Sequence, residues 1–589
     1  MILGLNISHN ASASLTTDNG LALFAVEEER LSRIKNHVGI PRKSIQILSE
    51  QTEIGDLEQI IIGSNNNLTR DMAHRMVANL EKNPSNKEGL WTQPFPGGFS
   101  KQKTNDVDPK TIIEMAILDL LPEKFAKINF VWEKHHDSHI GCALSTVSSK
   151  ESLLVSLDGE GDGESGAIAV YKSGVVNYLA RIPKLDSLGL MYSAVTKRYN
   201  FIPNKHDGKI TGLAAFGNHT AAVELLCQHI VIREGIPKVI RANDLKAKLL
   251  SPVLSKLGIN LKSFQTMHQI IDLAESKTTA YPDLAYAIQS VLEKSVLEII
   301  DFWVKKTKIK NVALSGGVFA NVKLNQKISE LQNVLDVGVF PNMGDGGIAL
   351  GGIWSYLSKN RQLSLEPYYE SMYLAPNNLS TEKIEIESLK TDEQLMQVTL
   401  PESNLYKAVC DDIISGSLVA VHNGQMEFGP RALGNRSLLL DPRKSTIVKS
   451  VNDRLNRTEF MPFAPVIMEE HFQNYFQISP TQSLQPYYYM TMTCNVMNQV
   501  RQLIPAVVHV DGTARPQIVN RTNNYYLYNI IDQFYKLTGI PLLVNTSLNV
   551  HEEPINCSVS DTVKILKSGK VDVVYFGHTR IELKKSPTQ

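Results

Sequence analysis

The sequence predicts an α/β protein of two domains, the first of them two-lobed. Three observations lead there: a repeated strand grammar, glycine-rich turns between strands and helices, and one polar break in periodicity. The grammar first runs "ILGLNIS", the polar loop "HNASASLTT", the turn Asp18-Asn19-Gly20 and then "LALFAVEEE". It returns about 150 residues later in "SLLVSLDGEGDGESGAIAVYKSGVVNYLARI", with Lys172-Ser173-Gly174 as the turn. Two copies imply two homologous lobes, residues 1–150 and 151–357, whose polar loops face a shared cleft. Asn6, His9 and Asp158 are then expected to meet across that cleft.

Helical patterns follow the strands. "AYAIQSVLEKSVLEIIDFWVKKT" places apolar residues at helical spacing and leads to the strand "NVALSGG" and a helix from "VFANVKLNQKI". A glycine pair between a buried strand and a helix start exposes unpaired N–H groups, where a phosphate or nucleotide can sit. The second pair, in "GDGGIALGG", repeats the arrangement at residues 344–352. Taken singly, each is more often only a turn. Residues 358–390 lose periodicity and carry Pro367 and Pro376, which reads as a linker. Residues 391–589 have their own strands ("SLVAVHN", "SLLLD", "DVVYFGH") and the helix "NIIDQFYKLTG", and form the second domain. Segments 64–110 and 225–285 read as insertions on the first domain.

Composition narrows the function classes. The 589 residues carry 60 Lys+Arg against 60 Asp+Glu, so no global basic field points to nucleic acid. Five cysteines without CxxC spacing argue against a disulfide framework and a thiolate zinc site. No apolar run reaches bilayer length and no apolar leader precedes a small-residue cleavage site, so a cytoplasmic protein without membrane partners is expected.

Three clusters carry chemistry. In "EKHHDSHIGCALS", His135 and His139 are four residues apart and share one helix face, a two-imidazole grip for a metal. Asp158 in "LDGEGDGES" and Asp345 in "MGDGGIAL" lie at strand ends and offer the carboxylates that would complete a His2Asp2 set. The competing reading of both is turn chemistry, since Asp before Gly forms turns. Lys209, in the glycine-punctuated loop "HDGKITGLAAFG", reads as a nucleotide-phosphate contact or as a solvated surface lysine. The C-terminal domain concentrates Arg431, Arg436, Arg443, Arg454, Arg457 and Arg515, with a polar turn at Asn545 to Asn549. These arginines alternate with apolar strands and lack stacking aromatics, which favours one compact anion over single-stranded nucleic acid or a set of surface ion pairs. Arg431 and Arg436 flank the Gly434 turn and are the expected ligands; Arg443, beyond the leucine strand, reads as an ion pair at its end.

Read together and in order, "EEERLSRIKNHVGIP", "KHHDSH", "LDGEGDGES", "DGKITGLAAFG", "LSGGVFANVKLN", "GDGGIALGG", "FGPRALGNRSLLLDPR", "RTEFMPFAP", "DGTARPQ" and "NTSLN" span nearly the whole chain. The series closely resembles the NodU/CmcH/TobZ family of O-carbamoyltransferases. That resemblance implies an N-terminal TsaD-like domain of the duplicated actin/Hsp70-like (ASKHA) fold and a C-terminal YrdC-like α/β domain. It implies ATP, with Mg, and carbamoyl phosphate as co-substrates. They form carbamoyladenylate, and its carbamoyl group passes to a hydroxyl of a small-molecule acceptor, a natural product or a sugar. By resemblance, Fe(II) or another divalent metal belongs on His135, His139, Asp158 and Asp345, and His9 serves the transfer step. Arg431, Arg436, Arg457, Arg515, Asn545 and Ser547 match the carbamoyl-phosphate grip; Lys209, Gly212, Gly316, Gly317 and Asn321 match the nucleotide side. Relatives imply a homodimer. Two related activities share both domains, a threonylcarbamoyl-type RNA modification enzyme and a HypF-like maturation protein. The neutral charge speaks against the first, and the missing zinc-finger cysteines and acylphosphatase module against the second.

The chain departs from the family pattern in places. Many members read KxRExFRPFAP where Leu455, Thr458 and Met461 stand here, and Asn10 follows His9 where an Asp is common. The form "RTEFMPFAP" is closer to the NodU/NolO side, which carbamoylates sugars.

Overall fold

Two five-stranded sheets of identical topology build the N-terminal half. In the first, β1 (Ile2–Asn6), β2 (Ser12–Thr16) and β3 (Ala22–Glu27) form an antiparallel meander, and β4 (Gln59–Ile62) and β5 (Asn129–Trp132) continue parallel to β1 in the order β3-β2-β1-β4-β5. In the second, β6 (Glu151–Gly161), β7 (Glu164–Lys172) and β8 (Val175–Pro183) form the meander. After a small hairpin of β9 (Ile230–Arg233) and β10 (Ile236–Val239), β11 (Asn311–Ser315) and β12 (Asp336–Val339) run parallel to β6. The order β8-β7-β6-β11-β12 is therefore the first sheet again, the two-lobed duplication that the strand grammar predicted and the actin/Hsp70-like architecture that the resemblance implied. The computed structural model describes residues 1–50, 57–64, 67–78, 107–240, 267–360, 368–376, 379–456 and 462–584.

The helix Ile348–Asn360 is the spine between the lobes. It crosses the helix His135–Leu144 at glycines on both partners. A Cβ on Gly141 would stand 2.0 Å from the Gly351 carbonyl oxygen, and one on Gly351 would stand 2.1 Å from that of Ser138. The same helix lies on the first sheet through Gly4, whose Cβ would be 2.0 Å from the Ala349 carbonyl. These contacts bring backbone to backbone, closer than any side chain permits.

The segment expected as a linker is more ordered than its composition indicates. The helix runs on to Asn360, and the backbone of residues 368–374 lies along the edge of the first sheet, where Ala22 and Ala25 donate to the Tyr368 and Leu374 carbonyls. A helix, Leu379–Ser388, follows. Tyr368, Met372, Leu374 and Ala375 are buried, so an irregular segment packed along a sheet edge stands where the helical period was sought in the sequence.

The C-terminal half has one mixed eight-stranded sheet. Its strands are β13 (Leu395–Thr399), β14 (Val419–His422), β15 (Arg436–Leu440), β16 (Ala464–Met468), β20 (Gln517–Val519), β21 (Leu542–Ser547), β22 (Val573–Phe576) and β23 (Thr579–Leu583). Their order is β13-β23-β22-β14-β15-β21-β16-β20, and β17 (Phe476–Gln477), β18 (Cys494–Val496) and β19 (Thr513–Ala514) make a small antiparallel sheet beside it. The helix Tyr525–Thr538 buries its Leu527, Ile530, Ile531 and Phe534 face in the C-terminal core and ends at Gly539 in the left-handed conformation.

Because the Gly141–Gly351 crossing has no space for a methyl group, Gly351→Ala is expected to lower stability by about 3 kcal/mol, the upper end for overpacked cores. Denaturant midpoints compared at unchanged slope measure it, and an unchanged midpoint would contradict the crossing.

Candidate functional site

Four side chains from three segments converge in the cleft between the lobes. His135 and His139 come from one helix face, Asp158 from the end of β6, and Asp345 from the 3-10 turn Asp345–Gly347 that feeds the spine helix. All four are buried, and one donor atom from each lies within 4.8 Å of the others. His135 Nε2 is 3.3 Å from Asp158 Oδ2 and 3.6 Å from Asp345 Oδ1, and His139 Nε2 is 3.6 and 3.5 Å from the same oxygens.

Three of the four residues are oriented by a second contact. The Gly317 N–H donates to Asp158 Oδ1 at 3.0 Å, and the Ser8 hydroxyl donates to Asp345 Oδ2 at 3.0 Å. Asn6 donates to the Asp345 carbonyl at 2.9 Å and also ties down the His9 and Asn10 carbonyls. Ser315 Oγ lies 3.2 Å from both His139 Nδ1 and the Met343 carbonyl oxygen. The Ser315 hydroxyl donates to that carbonyl and so accepts from Nδ1–H, which leaves the His139 Nε2 lone pair facing two carboxylates. Glycines make the room: a Cβ on Gly161 would fall 2.1 Å from the His135 ring, and one on Gly317 2.5 Å from Asp158 Oδ1.

Lone pairs and carboxylates pointed at one spot need a positive charge between them. Burial disfavours an imidazolium at His139, yet hydrogen bonding and charge from Asp158 and Asp345 outweigh it and pull its pKa up to about 9. Burial would raise Asp158, but His135 and His139 hold it well below the usual carboxylate range. Donor separations of 3.3–3.6 Å also suit atoms about 2 Å from one shared ion. The donor set therefore fits a divalent cation.

His9, followed by Asn10 where an Asp is common, has a carboxylate partner in Asp345: Nδ1 is 3.2 Å from Oδ2, with the His9 side chain 38% exposed. His136 and Asp137 turn away from the cluster. His136 meets Ser156, and Asp137 pairs with Lys359 and Arg181, fixing the helix from its outer side.

A second site is a cavity of about 420 Å³ between the N- and C-terminal halves. Arg431, Arg515, Asn545 and Ser547 line it from one side, and Lys209 and Gly212 from the other. Lys209 stands on the helix Asp207–Ala214 rather than in the expected loop, because Asp207 starts the helix and Ile210, Leu213 and Ala214 sustain it through the glycines. The cavity is electropositive. Burial lowers His509 and, despite Asp511, Arg515 and Lys323 help to hold its pKa at about 4.

Arg436 lies elsewhere. Its guanidinium is buried against the Asn423, Gly424 and Asn435 carbonyls and Glu382, not in the cavity lining. Arg436 opens β15 opposite His422, so strand geometry directs it away from the loop that carries Arg431. Arg443 is a bidentate ion pair with Asp441, as its position predicts. Arg457 lies outside the described residues. On the nucleotide side, Gly316, at φ +107°, and Gly317 sit by Asp158, while Asn321 caps the helix Val322–Ser329 and bonds Gln289.

Sequence reasoning missed Glu427. Its Oε1 accepts from the Leu433, Asn435 and Arg436 N–H groups at 2.8, 2.8 and 3.1 Å and folds "GPRALGN" into a rigid loop. Asn545 Nδ2 braces the loop by donating to the Ala432 carbonyl at 3.0 Å. An acid just before a Gly-Pro turn was the available signal.

Ion pairs close the cavity mouth across the two halves: Lys323 with Asp511 at 2.8 Å, and Lys205 and His206 with Glu552. Among the described residues, no helix is long and apolar enough to cross a membrane.

Residues 1–353 match the family described as Carbamoyltransferase N-terminus, and residues 410–583 match Carbamoyltransferase C-terminus. Nodulation protein NolNO of Sinorhizobium fredii is 30% identical over 582 residues, covering 97% of this chain and 78% of that protein. An uncharacterized protein of Methanocaldococcus jannaschii is 28% identical over 579 residues, 98% of this chain and 99% of its own. Among solved structures, HypF of T. kodakarensis superposes with a TM-score of 0.31 at 14% identity, over 63% of this chain and 48% of that one, too distant to bear on any residue.

Burial alone would raise the pKa of Glu552, but Lys205 and His206 bring it from 4.5 to about 2. A depressed carboxylate adds stability that is present above the unfolded value and is lost as pH falls through the folded one. The stability gap between wild type and Glu552→Gln, small because the pair is part-exposed, is therefore full above pH 4.5 and closes toward pH 2 in urea titrations. A gap that is independent of pH would contradict the clamp.

Proposed function

The chain belongs to the carbamoyltransferase family, and from that premise we propose that it is an ATP-dependent O-carbamoyltransferase whose two steps are divided between the two sites. Carbamoyl phosphate, water and ATP yield carbamoyladenylate in the cavity between the halves with release of phosphate and pyrophosphate, and the carbamoyl group then passes to a hydroxyl of a small polar acceptor, a sugar or natural product, with AMP as the leaving group. The observation that carries this reading is the cavity itself, which sets Arg431 and Arg515 of one half against Lys209 of the other. A carbamoyl group is a poor electrophile until it has a good leaving group, and the adenylate supplies one.

In the cavity, Arg431 and Arg515 neutralise phosphate charge, with Asn545 and Ser547 as neutral partners and Lys209 on the nucleotide phosphates. In the cleft, His135, His139, Asp158 and Asp345 would hold the divalent ion, Fe(II) by family expectation. When bound, that ion supplies Lewis-acid polarisation of the carbamoyl oxygen or grips the adenylate phosphate. Asp345 fixes the His9 Nδ1–H, which leaves Nε2 to take the proton of the acceptor hydroxyl as it attacks. We further propose a cytoplasmic homodimer without nucleic-acid partners.

The test separates the steps. His9→Asn is expected to lower acceptor carbamoylation by about 10²–10⁴-fold, the range of a lost general base, while ATP-dependent pyrophosphate release continues. Arg515→Ala is expected to stop pyrophosphate release first. Parallel loss of both activities in His9→Asn would contradict the division of labour.

A further inference from the structure

The "EEER" of residues 27–30 has no part in the chemistry above, yet it holds an arginine that is 1% exposed. Arg30 Nη2 donates to the Gly429 carbonyl of the C-terminal half at 2.5 Å and pairs with Glu27 Oε2 at 3.0 Å. Glu29 lies 3.7 Å from Nη1. Gly429 is in the left-handed region at φ +131° and stands two residues before Arg431. The other oxygen of Glu27 accepts from Asn342 Nδ2 at 3.2 Å. It also lies against Gly346, where a Cβ would stand 2.5 Å away, beside Asp345. Asn342 in turn touches the turn before Arg431, since a Cβ on Gly429 would be 3.3 Å from its own Cβ.

One buried guanidinium thus clasps the loop that presents Arg431 to the loop that presents Asp345. A charge this deep is costly to bury, and a guanidinium whose Nη2 meets a carboxylate and a backbone carbonyl at once has little freedom. We propose that Arg30 is a positioning residue that acts through Arg431, setting the cavity arginine for its phosphate ligand while registering it against the Asp345 turn. This rests on the reading of the cavity as the carbamoyl-phosphate site.

Arg30→Lys keeps the charge beside Glu27 but loses the planar guanidinium whose Nη2 makes both contacts. It is expected to raise KM for carbamoyl phosphate about tenfold with kcat within threefold, as expected when binding geometry and not chemistry is disturbed. In an Arg431→Ala background the same substitution should add nothing, because two residues that act as one unit are not additive. Glu27→Gln, which keeps the shape and the Asn342 contact, should move KM in the same direction by about threefold, and it serves if Arg30→Lys does not fold. Additive effects in the double variant, or an unchanged KM in a folded single variant, overturn the proposal and leave the cavity assignment standing. A wild-type chain that consumes no carbamoyl phosphate with ATP overturns both.

Discussion

The carbonyl of Gly351 lies where any side chain on Gly141 would have to be, and that crossing fixes the His2Asp2 cluster. One helix brings the two imidazoles and the other follows directly on Asp345, so their separation sets the ligand separation. The remaining contacts respond to it. Asp158 reaches in from the second sheet on a Gly317 N–H, and the loop between β1 and β2 supplies Asn6, Ser8 and His9 from the first. The duplicated topology thus places chemistry at its own pseudo-symmetric cleft, with the two lobes contributing different residue types from equivalent loops.

The second site depends on how the halves meet. A cavity lined by arginines on one side and a lysine on the other would repel itself apart without local compensation. Asp511 and Glu552 at the mouth, and the Glu427 carboxylate behind the Arg431 loop, provide it. Glu427 acts by geometry as much as by charge, since three N–H groups converge on one of its oxygens. The two clusters are held by different elements, as the proposed separation of activation from transfer requires.

Much of this was legible in the sequence. The two-lobed fold shows in the repeat of strands and turns, and the His2Asp2 set in the four-residue histidine spacing and two Asp-Gly turns, which are local signals. What was hidden depends on long-range partners. Arg436 and Arg431 look alike in sequence, and only the pairing of β15 with β14 separates them. Glycines in "HDGKITGLAAFG" suggested a loop, whereas Ile210 and Leu213 packing made a helix. The polar segment after Asn360 hid four buried residues because its partner is a sheet edge hundreds of residues earlier. Arg30 and Gly429 are 399 residues apart, and nothing local in either marks the bond.

The account turns on an activated carbamoyl that exists before any acceptor arrives. Incubation with [13C]carbamoyl phosphate and ATP in the absence of acceptor, followed by mass spectrometry of the quenched complex, tests it directly. The account predicts labelled carbamoyladenylate with release of pyrophosphate, and its disappearance as AMP when a hydroxyl acceptor is added. Label reaching an acceptor without formation of AMP would contradict it.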